Sequence, residues 1–212
     1  MKTTSAPTAV AALSLPTARV SIAAGALTLV LLAALHFLSP EFNPSWRMVS
    51  EYALGSFGWV LALMFIVWAI SAGALYVTIR PLVQSTAGKV GLVLLLISTA
   101  GTALAAIFDV RSSLHGLAAL LGIPTLPVAA MLITVSLLEN PDWAPAQTGL
   151  LAAANFTWIS VVLMFGAVFI GLATVGEFGP GVYVGWPNRL LIVAYCVWMI
   201  AIARQALQTQ PA

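Results

Sequence analysis

The chain has 212 residues, of which 61% are hydrophobic and only 7% charged, where an ordinary soluble domain carries roughly 25% charged residues. With mean hydropathy at +1.05, too few polar side chains exist to cover a water-facing surface, which excludes a soluble fold. Eight Lys and Arg against six Asp and Glu give a net charge of +2, and the basic residues are scattered singly, so no nucleic-acid surface is indicated.

Residues 1–18 are rich in Ala, Thr, Ser and Pro and read as a disordered cytoplasmic tail. A cleaved signal peptide is disfavoured. The apolar run at 20–38 exceeds the 7 to 15 or so residues such a peptide uses, and no small-residue cleavage site follows it. About 20 apolar residues in helix cross a hydrocarbon core of about 30 Å. Six stretches qualify: 20–38, 57–79, 90–108, 114–138, 148–175 and 188–206. They are continuous apolar runs, not short alternating segments, so a β-barrel is excluded. The expectation is an all-α bundle of six transmembrane helices over 19–206, with a short tail at 207–212.

With both termini in the cytoplasm, Lys2, Arg19, Arg80, Lys89 and Arg204 lie inside, and Arg47, Arg111 and Arg189 lie outside. Five basic residues against three favour this orientation. The third span offers Gly101 and Ala105 at a spacing suited to close helix packing, with Ser98 nearby. Only 109–113 joins the third and fourth spans, which makes them antiparallel neighbours. The fourth carries Gly122, Pro124 and Pro127, and a proline removes a backbone donor and clashes with the preceding turn, so a kink is predicted there. Asn155 in the fifth span is a polar outlier expected to be buried in an interhelical hydrogen bond. Cys196, the only cysteine, lies in an apolar stretch and reads as a small buried hydrophobe.

Sorting the ionisable residues by side places Glu41, Arg47, Glu51, Asp109, Arg111, His115, Glu177 and Arg189 at the outer end, with His36 about one helical turn away. Three segments stand out. Residues 43–55 (NPSWRMVSEYALG) lead into the second span, with Ser50 suited to cap it and Glu51 suited to the helix dipole. Residues 108–116 (FDVRSSLHG) cross the tight turn. There Asp109 could fix the tautomer of His115, or could pair with Arg111 while His115 bonds to backbone. Ser112 or Ser113 is placed to cap the fourth helix. Residues 185–189 (GWPNR) open the last span, where Arg189 could bind an anion or snorkel to the interface.

The Ser-Glu-Tyr-Ala-Leu-Gly run at 50–55, the aspartate followed by His115-Gly116 at the turn, and the Gly185 to Arg189 spacing together resemble the bacterial membrane family called domain of unknown function 998, over about 20–206. The resemblance implies six transmembrane helices in a bacterial inner membrane and no established activity. In that family a proline commonly precedes the aspartate, and a glutamate the arginine; here Phe108 and Asn188 stand in those places. If the glutamate pairs with the arginine in relatives, Glu177 or Asp109 is left as its substitute here.

The most economical functional expectation is binding or transport of a lipid or small amphiphile through an outward-facing polar cavity, with membrane lipids as partners. Arg47, Glu51, Arg111, Glu177 and Arg189 are the candidate ligand-binding residues, with the arginines facing an anionic head. A membrane-embedded enzyme would use Asp109 and His115 as an acid–base pair, and a structural or partner-binding subunit is the third alternative. Haem ligation by His36 and His115 is weaker, since transmembrane b-type cytochromes usually carry more histidines. No metal or cofactor is expected. Leaving a charge unpaired near hydrocarbon is costly, so Glu51, Asp109, His115 and Arg189 are expected to converge on one pocket, with Asp109 and His115 closest.

Overall fold

A computed structural model of the protein describes residues 9–209, with side chains from residue 15 onward. Seven α-helices occur among them: α1 (Ala9–Leu38), α2 (Gly58–Ile79), α3 (Thr86–Ile107), α4 (His115–Gly122), α5 (Thr125–Leu138), α6 (Gln147–Val175) and α7 (Gly185–Gln208). Two short 3₁₀ helices, Val49–Leu54 and Pro141–Ala146, precede α2 and α6. Taking α4 and α5 as one interrupted span, six helical segments are long and apolar enough to cross a membrane, and each coincides with a predicted stretch.

The N-terminal boundary differs from the expectation. Helix α1 starts at Ala9, so 9–18 are helical and not a tail; 1–8 lie outside the described residues. Tertiary contact accounts for the part of the extension at 17–18. Ala18 and Ser21 are fully buried, and Thr78 Oγ1 at the end of α2 donates to Thr17 Oγ1 at 2.9 Å. At the other end α7 continues to Gln208, and 210–212 lie outside the described residues.

The predicted kink in the fourth span is a break at Ile123 and Pro124. Proline at 127 has no N–H to give the carbonyl four residues earlier. That carbonyl, on Ile123, instead accepts from Tyr195 Oη of α7 at 2.6 Å. The Gly122 carbonyl accepts from Ser98 Oγ of α3 at 2.8 Å, and Thr125 Oγ1 donates to the Leu121 carbonyl. Tyr195 of α7 thus satisfies the carbonyl that Pro127 sets free, and Ser98 of α3 and Thr125 of the span itself bond two more carbonyls at the break, as a span in lipid requires.

The helices form a ring in which α1 packs on α2 and α7, α2 on α3, α3 on α5, α5 on α6 and α6 on α7. Helix α4 rests chiefly on α3. That contact is backbone to backbone: a Cβ on Gly101 would collide with the Gly122 amide and lie 2.7 Å from the Ala118 carbonyl. Small residues permit this approach where lipid gives helices no hydrophobic reason to associate. Bonds between helices satisfy further buried polar groups, including Ser71 Oγ to the Ser21 carbonyl at 2.8 Å and Trp198 Nε1 to Thr134 Oγ1 at 3.0 Å.

Asn155 corrects its expectation. It is exposed, and its Nδ2 donates to the Leu151 carbonyl of its own helix at 2.8 Å. Its neighbours Trp158 and Ile159 also face outward, so the nearest acceptor is the preceding turn and no partner helix is within reach. Cys196 is fully buried, as its apolar setting implies.

Candidate functional site

The connection between α1 and α2 folds over the end of the bundle that holds most of the ionisable residues. Asn43 Oδ1 accepts from the Ser45 amide at 3.0 Å and from Ser45 Oγ at 2.7 Å, which turns the chain. The Gly185 amide at the start of α7 then donates to the Ser45 carbonyl at 3.0 Å. A Cβ on Gly185 would collide with the Pro44 carbonyl and stand 2.8 Å from that of Arg47, so only glycine permits this approach.

Ser50 does not cap α2, which begins eight positions later at Gly58. It lies inside the 3₁₀ helix Val49–Leu54, whose start is capped by Glu51: Oε2 accepts from the Met48 amide at 2.7 Å. The other oxygen of Glu51 accepts from Arg47 Nη1 at 2.5 Å. The Arg47 guanidinium also stacks 4.2 Å over the Trp46 ring. Asn188 ties this roof to α7, its Oδ1 accepting from the Val49 amide at 2.8 Å.

Beneath the roof Arg189 is buried, with only 4% of its surface exposed. Its Nε donates to His36 Nε2 at 2.8 Å, and Nη1 donates to the carbonyls of Arg47 at 2.7 Å and Gly185 at 2.9 Å. Its Nη2 donates to Tyr52 Oη at 2.9 Å. The other ring nitrogen of His36, Nδ1, stands 2.8 Å from the Leu32 carbonyl. This geometry assigns the proton to Nδ1 and leaves Nε2 as an acceptor. His36 stacks on Trp186, and the guanidinium lies 5.4 Å from the centre of the Tyr52 ring.

Arg189 therefore has four acceptors and no acidic partner among them. This corrects the expectation that Glu177 or Asp109 would substitute for a missing glutamate. Glu177 is exposed on the α6–α7 connection. A guanidinium offers five N–H groups in a fixed plane, so it can satisfy neutral acceptors from α1, the roof and α7 at once.

Asp109 lies in the α3–α4 turn and is held by Arg111. The Arg111 amide donates to Oδ1 at 2.9 Å, its Nε to Oδ2 at 3.0 Å, and its Nη2 to Oδ2. These bonds, side chain first, lower the Asp109 pKa from the usual 3.8 to about 2, and the same pairing raises that of Arg111. His115 Nδ1 pairs with the Phe108 carbonyl at 2.8 Å, and Ser112 Oγ accepts from the Leu114 amide at 3.2 Å. Among the described residues no hydrogen bond joins Asp109 to His115. Of the two arrangements open to this turn, the arginine pair with a backbone-bonded histidine is the one formed.

A cavity of about 590 Å³ opens under the roof among α2, α3, α4, α6 and α7. Arg47, Ser50 and Glu51 of the roof, His115 at the start of α4 and Asn188 in the first turn of α7 supply most of its polar groups, with Thr102 of α3 deeper. The rest of the deep wall is apolar, with Trp68, Ala105, Ala119, Ile123, Leu191 and Ile192. A second cavity of about 480 Å³ adjoins it and shares Phe65 and Ala105; Asp109 and Arg111 line that one. The expected convergence of four residues is thus corrected: Glu51 and His115 share the first cavity, Asp109 belongs to the second, and Arg189 lines neither.

Sequence reasoning missed Tyr52 and His36 as partners of Arg189, and Asn188 as a cavity group. A signal existed for each. Tyr52 directly follows Glu51, His36 lies inside the apolar run of the first span, and Asn188 stands beside Arg189.

These features define a multi-pass helical membrane protein whose polar residues roof an apolar-walled cavity. The chain belongs to the family described as "Protein of unknown function (DUF998)", whose model matches residues 22–205. No curated protein and no solved structure gives a significant match.

Proposed function

We propose that the protein binds a lipid or small amphiphile in the cavity beneath the roof, with the head against Arg47, Ser50, Glu51, His115 and Asn188 and the tail along the apolar wall. One observation carries this reading: polar groups gather at one end of a cavity of about 590 Å³ whose remaining lining is apolar save for Thr102, whose hydroxyl donates to the Ser98 carbonyl. Small-molecule pockets share this design, in which a largely apolar wall binds and a few polar groups orient. Because α4 rests chiefly on α3, the side of the cavity between α4 and α6 is the natural route for a chain arriving from the bilayer.

In this reading the chain sits in a bacterial inner membrane with both termini in the cytoplasm and the roof outside, in keeping with the basic-residue bias. Reporter fusions after Arg80 and after Trp143 should both give a cytoplasmic signal; a periplasmic signal at either overturns that orientation. The binding reading is tested by lipid extraction and native mass spectrometry of the purified protein. Wild type should retain amphiphile through gentle detergent exchange, and Ala119→Phe, which fills the cavity, should lose it. Equal retention by both, or none by wild type, defeats the reading.

A further inference from the structure

Each arginine at this end of the bundle is already engaged by the protein. Arg189 is bonded to His36, Tyr52 and two carbonyls, and Arg111 is held by Asp109. Arg47, the only one of the three on the wall of the first cavity, is paired with Glu51 at 2.5 Å. One positive and one negative charge in direct contact leave that part of the wall neutral. An anionic head brought to Arg47 meets Glu51 at the same moment, and the repulsion offsets the attraction.

Arg47 Nε is buried with no partner among the described residues, and three uncharged groups also remain for a ligand. Ser50 Oγ bonds to no protein group among the described residues. Asn188 Nδ2 has only the Met164 thioether, at 3.4 Å, which is a weak acceptor. His115 is fixed through Nδ1 at the Phe108 carbonyl, leaving Nε2 with no protein partner among the described residues. A hydroxyl, an amide N–H and an imidazole nitrogen together match a head that both donates and accepts hydrogen bonds, and hydroxyl groups do both.

We propose that the cavity selects an amphiphile with an uncharged, hydroxyl-bearing head, of the glyceryl or glycosyl kind, over one with an anionic head. This rests on the lipid-binding reading above and replaces the expectation that the arginines face an anion. Ser50, Asn188 and His115 are then the specificity groups. The role of the Arg47–Glu51 pair is to hold the roof while presenting no net charge.

Trp46 and Trp68 line the cavity, so a brominated chain bound there quenches tryptophan fluorescence by contact. The full-length protein in phosphatidylcholine nanodiscs is titrated with two probes sharing one dibrominated acyl chain, a monoacylglycerol and the matching monoacylglycerol phosphate. Quenching that persists in Ala119→Phe comes from the surrounding bilayer and is subtracted. Trp68→Phe gives a second, independent estimate of the cavity signal should Ala119→Phe fold poorly. Cavity quenching by the glyceryl probe should reach its midpoint at about tenfold lower concentration than by the phosphate probe. Glu51→Gln keeps an acceptor for the Met48 amide but frees the charge of Arg47, and should shrink that gap to under about threefold. Equal or tighter binding of the phosphate probe to wild type overturns the head selectivity and leaves lipid binding standing. An unchanged gap in Glu51→Gln overturns the part assigned to the ion pair. Absence of cavity quenching with both probes defeats the lipid reading itself.

Discussion

Two arginines at the same end of the bundle solve opposite problems. Arg189 is buried and has no carboxylate, yet the roof, α1 and α7 meet it with four neutral acceptors. Arg111 has a carboxylate held through three of its nitrogens, yet 68% of its side-chain surface is exposed. The difference teaches that a formal ion pair is a poor guide to where polar groups matter in this fold. A charge in water gains little from a partner, because solvent already screens it. A buried donor or acceptor left without a partner costs about 1–3 kcal/mol, more if charged.

The comparison is broken most directly at Arg189. Arg189→Leu leaves His36, Tyr52 and the Arg47 carbonyl unsatisfied together, and should cost about 3 kcal/mol or more. Arg189→Lys should recover little, since a single ammonium cannot span acceptors in three directions. Denaturant titration in detergent measures both. If Arg189→Leu unfolds at the wild-type midpoint, the buried network is not what holds the roof.

A second substitution asks what positions the α3–α4 turn if its ion pair does not. Gly101→Leu forces apart two backbones in contact and should cost about 1–3 kcal/mol, the usual range for overpacking. Its cavity signal in the quenching assay should fall as well, because Gly101 lines that wall. A stable Gly101→Leu protein with an intact cavity would shift the credit back to the turn itself.

Glu51→Gln lies between the extremes. The side chains of Arg47 and Glu51 are 33% and 25% exposed, so losing the pair should cost about 0.5–1 kcal/mol in the same titration. A loss as large as that of Arg189→Leu would place Arg47 in the buried class.

Asp109→Asn should have the smallest effect, a loss near neutral pH that stays below that of Glu51→Gln. The sign of its pH dependence follows from the pairing. With its pKa lowered from 3.8 to about 2, the contribution of Asp109 is fully present above 3.8 and is lost as pH falls toward 2. Melting curves of wild type and variant across that window should converge as pH drops. A gap that widens on acidification contradicts the assigned pairing.

Much of the molecule was legible before any fold was known. Six spans could be placed because lipid demands about 20 apolar residues in helix, a rule that acts on local composition alone. The break in the fourth span followed from Pro124 and Pro127, which lack the donor a continuous helix needs. The close approach at Gly101 was visible in its spacing with Ala105. The gathering of ionisable residues at one end needed only the spans and the loops between them.

Which of those residues meet was settled by tertiary structure. Arg189 and His36 are 153 positions apart, and nothing local to either records that α1 and α7 pack side by side. Charge suggested that Arg189 would seek Glu177 or Asp109; packing delivered His36, Tyr52 and two carbonyls, all uncharged. Likewise the helical state of Thr17 and Ala18, ahead of the first apolar run, goes with their docking against the bundle, which composition alone cannot show. Apolar length is a property of a segment and is written in the sequence. Hydrogen bonds reach about 3 Å, so a partner is chosen only once the helices have fixed which groups stand within that distance.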